Sequence, residues 1–145
     1  VMTPTWVNIY NNAIIPYQNK EITQEVALTK GIEPFRTFML EYTRQQDLAL
    51  FLEFSKIPAI TNVKNVPIYV LIPAFMISEL KTAFQIGFML FIPFIVIDLV
   101  VSNILLSLGM FMLSPVMISL PFKILLFVLV DGWNLITRGL LNGFN

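Results

Sequence analysis

Thr82–Leu141 reads TAFQIGFMLFIPFIVIDLVVSNILLSLGMFMLSPVMISLPFKILLFVLVDGWNLITRGLL, and this stretch decides the fold. Residues 82–97 and 99–122 carry no charge, and Asp98 alone separates them. A bilayer-spanning helix needs roughly 20 mostly apolar residues, so Ala83–Leu108 suffices for one such helix. Gly109 and Ser114-Pro115 interrupt the run and predict a turn. A second helix is expected over Val116–Leu141, with Pro121 near its start and Gly139 near its end. Two long apolar helices joined by a short connection make an antiparallel hairpin.

The rest of the chain is different in kind. The 145 residues are 57% hydrophobic, above the roughly 45–50% of soluble globular domains, and mean hydropathy is +0.77. Nine basic and nine acidic residues cancel, which leaves no bulk attraction for nucleic acid. Seven of each lie before Thr82, and beyond it only Asp98, Lys123, Asp131 and Arg138 are charged. In the front, Pro4–Tyr17 has helical spacing that Pro16 ends or bends. Glu21–Lys30 reads as a short helix closed by Gly31. Phe35, Phe38, Met39 and Tyr42 fall on one face of a further helix over Pro34–Thr43. Asp47 is placed to cap a helix running LALFLEFSK. Residues 57–66 lack periodicity and read as a linker, after which Pro67 opens a new helix that Pro73 breaks. The expected class is all-α: a small helical subdomain at 1–56, a linker at 57–66 and an apolar hairpin at 67–145. Val1 is not a start residue and no signal peptide follows it, so the chain reads as the trailing part of a longer protein.

Few residues could carry chemistry. There is no cysteine and no histidine, which removes disulfides, thiolate metal sites and the commonest general base. No phosphate-cradling loop, nucleophile elbow or basic patch with interleaved aromatics is present, so neither an enzyme nor a cofactor is implied. Asp98 stands out, because an ionisable group in an apolar helix is costly unless paired. Across the expected hairpin its partner is Lys123, about four residues different in depth, or roughly 6 Å. A structural ion pair, within the hairpin or between copies, is the ordinary reading. A proton- or ion-carrying acid is the sharper one, and an ion-coupled transporter would follow from it. Asp131 precedes Gly132 and Trp133 at an interruption of the second helix, where it would sit near a helix end or an oligomer contact and Trp133 would be an interfacial anchor. Gly139 and Gly143 have the spacing of close-packed helices. Met110 and Met112 fall in the turn. Methionine is ordinarily adaptable core filler, but a ring of such turns would make a deformable apolar gasket.

The segments SELKTAFQIGF, IPFIVIDLV, ISLPFK and LFVLVDGW, in this order over Ile77–Trp133, resemble the FliP/SctR family of type III export-gate proteins. PFRTFMLEYTRQQDLALF in the front resembles the periplasmic helical domain of that family, and the flagellar branch fits better than the injectisome branch. The resemblance implies a core subunit of a bacterial inner-membrane export gate, part of the flagellar basal body. Such a subunit forms a homopentamer and joins FliQ and FliR in a multi-subunit helical pore complex that unfolded flagellar subunits traverse. In that assembly the hairpins are largely raised out of the bilayer and packed on one another. The methionine-rich loop of the family maps onto Gly109–Met112, making Met110, Phe111 and Met112 the channel gasket; Phe111 departs from the usual run of three methionines. The family's N-terminal signal and further apolar helices are absent here.

Overall fold

The computed structural model describes residues 1–55 and 65–144, and the expected linker at 57–66 lies outside them except for its last two residues. The class is all-α: among the described residues there is no strand. The helices are α1 (Thr3–Ile9), a π segment (Tyr10–Ile14), α2 (Ile15–Gln18), α3 (Gln24–Tyr42), α4 (Gln45–Phe54), α5 (Ile68–Ser107), α6 (Pro115–Leu129) and α7 (Gly132–Asn142). The chain divides into two compact units, Val1–Lys81 and Thr82–Asn145, with the boundary inside α5.

In the first unit the amide-rich start is helical throughout, and Pro16 bends rather than ends it. A proline cannot donate to the residue four before it and its ring crowds that carbonyl. The π segment lies directly ahead of Pro16 and gives the wider turn that absorbs the conflict. The chain then stops at Lys20, whose φ of 59° is left-handed. Its N–H bonds the Tyr17 carbonyl and the next N–H bonds that of Pro16, the pattern that closes a helix C-terminus.

Three expectations for this unit are corrected. Gly31 does not close a helix: α3 runs through both Gly31 and Pro34. An interior glycine costs about 1 kcal/mol against alanine, but Gly31 faces Ala13 of the π segment, and Trp6 meets Phe35 edge to face at 5.3 Å. Tertiary packing therefore holds α3 together where local preference would end it. Pro73 does not break α5 either, because Val70, Leu71, Ala74 and Ser78 form one buried face that continues past it. Leu48 of α4, Val66, Val70, Leu71 and Ala74 are the core of the unit, with Met39, Leu40, Phe51 and Leu52 packed against it. Arg36 reaches across to the Val66 carbonyl and pairs with Glu33 at 3.3 Å.

The third correction concerns Asp47, which is not an N-cap. Helix α4 begins two residues earlier, with Arg44 in the cap position and no side-chain cap of its own. The cap comes from α5: the Arg44 N–H donates to Ser78 Oγ at 3.0 Å, and Ser78 donates to Asp47 Oδ2 at 2.8 Å. Lys81 binds the other oxygen, Oδ1. In a capping box the third residue of the helix reaches back to the cap N–H directly; here a serine from another helix is inserted between them. Asp47 is 2% exposed and Ser78 1%, so the buried polar atoms are satisfied by each other.

The hydrogen bond from Lys81, and after it that from Ser78, hold the Asp47 carboxyl below its ordinary value of 3.8. A carboxylate whose folded value is depressed contributes fully at neutral pH, and its contribution is lost as pH falls through the unfolded value and on through the folded one. Asp47→Ala is expected to lower the thermal midpoint of the front unit at pH 7. Asp47→Asn is expected to lower it at pH 7 and to lose less on acidification below 3.8 than the native chain does. Melting followed by circular dichroism at several pH values, on protein held in detergent, checks both.

Candidate functional site

The second unit contains α5 from Thr82 onward, a turn, α6 and α7. The hairpin expected from the sequence is present, with two differences. Its first arm is part of a 40-residue helix that starts at Ile68, not at Ala83. Its second arm is not a single helix over Val116–Leu141: α6 ends at Leu129, and α7 follows at a bend of 63°. Asp131 makes the corner with φ 52° and ψ 56° and is the N-cap residue of α7. Among the described residues one helix is long and apolar enough to cross a membrane, or two spans result if the bent pair counts as one.

Asp98 and Lys123 meet across the arms, Lys123 Nζ lying 2.7 Å from Asp98 Oδ1. Sequence reasoning missed the third member. Ser119, fully buried, donates its hydroxyl to the same carboxylate. Its oxygen also lies 3.0 Å from the Val116 carbonyl, so its single proton has two acceptors to choose between. Ser119 and Lys123 are i and i+4 on α6, and residues at that spacing share a helix face. The signal was present in ISLPFK, where a serine and a lysine one turn apart interrupt an apolar face. The same signal, in SELK, marks Ser78 and Lys81. Asp131 takes no part in the Asp98 cluster; its carbonyl accepts from the N–H groups of Asn134 and Leu135.

The turn is built by Gly109, at φ +72°. The Gly109 N–H bonds the Leu106 carbonyl and the Met110 N–H bonds that of Leu105, so α5 closes as α2 does. This closure ejects the next three side chains. Met110 is 45% exposed, Phe111 76% and Met112 100%. Along the arms, Phe84, Phe88, Val96, Leu99, Phe122 and Leu129 are also exposed. A contiguous apolar surface of this kind marks a face that lipid or protein covers. No group of acidic side chains able to hold a metal occurs among the described residues.

Gly109→Ala would put a Cβ on a left-handed residue and is expected to destabilise the turn by about 1 kcal/mol, read from thermal unfolding. Asp98→Asn leaves Lys123 without its counter-charge and is expected to lower the thermal midpoint of the hairpin in detergent. Exchanging the pair, Asp98→Lys with Lys123→Asp, is expected to restore part of the loss, as measured by circular dichroism.

Comparison with known proteins fits this architecture to one family. The sequence model of the FliP family matches residues 1–140. The flagellar biosynthetic protein FliP of Bacillus subtilis is 55% identical over 144 residues, which cover 99% of this chain and 65% of the relative. The protein of the same name from Pectobacterium carotovorum is 54% identical, over 99% of this chain and 56% of its own length. That of Caulobacter vibrioides is 49% identical, over 99% and 54%. The chain thus spans less than two thirds of the length of these relatives. With its two helical units, apolar hairpin and near-complete match to the family sequence model, this chain belongs to the FliP family.

Proposed function

We propose that this chain is part of a core, pore-forming subunit of the flagellar type III protein export gate in the bacterial inner membrane. The observation that carries the reading is the apolar outer surface of the hairpin. Only 11% of the most apolar window of α5 is buried within the chain, so its remaining faces need lipid or neighbouring subunits. The names of the relatives support the flagellar branch over the injectisome branch. In this reading the neighbours are other copies in a homopentamer, with FliQ and FliR, and the front unit stands on the periplasmic side. Unfolded flagellar subunits are the cargo.

The turn supplies the seal. Met110 and Met112 are flexible thioethers, and with the stiffer Phe111 they project from a rigidly closed helix end. A ring of such turns closes an axis against ions and yields to a passing chain because methionine repacks at little cost. The triad around Asp98 supports a structural role for that residue: its carboxylate is engaged by an ammonium and a hydroxyl from α6, which leaves it poorly placed to pick up and release protons.

The test replaces Met110, Phe111 and Met112 together by alanine in the full-length protein. Ion leak across the cell membrane is expected to rise several-fold while the complex still assembles. An unchanged leak, with assembly verified, would place the seal elsewhere and overturn the gasket role of the turn.

A further inference from the structure

The second arm of the hairpin is bent where Asp131-Gly132, a pair that favours a turn, interrupts its apolar run. From Pro115 to Asn142 the only residues outside helix are Val130 and Asp131. Backbone energetics oppose it. Asp131 sits in the left-handed region, which costs a residue with a Cβ about 1–2 kcal/mol. Its N–H turns to the Val128 carbonyl, whereas a continuous helix would send it to Phe127.

Two packing contacts favour the bend: α7 lies back on the first arm, with Gly139 beside Ile86 and Gly143 beside Thr82, and an aromatic ring fills the corner. A Cβ on Gly132 would lie 2.3 Å from the Phe127 ring, so the ring occupies the space that any larger residue would need. Phe127 also meets Trp133 edge to face at 5.4 Å and faces Phe94 of the opposite arm at 6.5 Å. Beneath this corner is an apolar cavity of about 230 Å³, lined among others by Met89, Pro93, Phe94, Phe127 and Gly132. Pro93 has no N–H to give the Met89 carbonyl, so α5 lacks one rung of its hydrogen-bond ladder beside the same cavity. Each arm therefore has an interruption of its hydrogen-bond ladder at the same level, around a space into which side chains can move.

We propose that Pro93 in one arm and Val130–Gly132 in the other form a joint with two settings. In the bent setting, observed here, Phe127 is seated on Gly132. In the straightened setting Phe127 leaves Gly132, Asp131 returns to right-handed backbone and Pro115–Asn142 becomes one helix. Movement between the two swings the end of the hairpin that carries Met110, Phe111 and Met112. The joint is a property of the hairpin and does not depend on what the turn seals.

The experiment places spin labels at Met117→Cys and Leu141→Cys, both exposed, in the full-length protein reconstituted in lipid nanodiscs. Labelled copies are diluted with unlabelled ones, and any cysteine elsewhere in the protein is replaced. An uninterrupted helix separates these positions by about 36 Å at 1.5 Å per residue, and a 63° bend shortens that by roughly 5 Å. Gly132→Ala is expected to enlarge the long-distance population, because its Cβ unseats Phe127. Asp131→Gly is expected to shrink it, because glycine takes the left-handed corner without cost. Asp131→Val, whose branched side chain tolerates left-handed backbone far less than aspartate does, strains the corner without adding bulk to Gly132, gives the same push as Gly132→Ala and replaces it if that variant does not assemble. One unchanged distance across the native chain and these variants would overturn the joint. Leak measurements play no part in the outcome, so failure of the joint and failure of the export-gate reading are separable.

Discussion

An aspartate carboxylate that must be satisfied inside an apolar helical pair is the constraint on which both units depend. In each unit the solution is the same: a serine and a lysine one turn apart on the facing helix grip the carboxylate between them. Ser78 and Lys81 hold Asp47 of the front, and Ser119 and Lys123 hold Asp98 of the hairpin. Apolar faces slide past one another at little energetic difference, since any methyl group packs tolerably against any other. A carboxylate has a far sharper minimum, because shifting a helix by one turn would leave an unpaired charge where water is scarce. The clamps thus contribute register more than net stability.

A second constraint is the surplus of apolar surface that the chain cannot bury. The front unit has an ordinary small core around Leu71 and Val66, while the hairpin has outward-facing phenylalanines and leucines along both arms. An exposed apolar face is compatible with a hairpin whose partners are lipid or other helices. The charged pair between the arms is engaged there: Asp98, Ser119 and Lys123 form the cross-arm tie.

The helical class, the hairpin and the meeting of Asp98 with Lys123 were legible in the sequence because each follows from local pattern. Unbroken apolar runs specify long helices, and two such runs with a glycine between them place opposite charges face to face. The errors have one cause. Local rules make Gly31 and Pro73 helix breakers and Pro34 the start of a separate helix, and each is overruled by neighbours that favour a continuous helix. The corner at Asp131 falls where Asp-Gly interrupts the apolar run, and what the sequence does not show is the size of the bend, which packing of Phe127 and α7 sets. Asp47 was read as a cap because its position in sequence suits one, and only the fold shows Ser78 intervening. Ser119 was passed over because serine in an apolar helix usually bonds its own backbone. The serine–lysine pairs stand in ISLPFK and SELK, but local pattern does not say which carboxylate each would grip.

The spacing of the clamps along the chain bears on how the protein is made. Ser78 closes on Asp47 from 31 residues away and Lys81 from 34, and Ser119 closes on Asp98 from 21. Closing loops of this length costs only about 0.6 kcal/mol more than closing loops half as long. During synthesis the first clamp can therefore engage before the distal hairpin has left the ribosome, and the second as soon as the stretch through Lys123 has emerged. Each nascent segment then presents its charges already neutralised, which lowers the cost of handing an apolar hairpin over to the membrane insertion machinery.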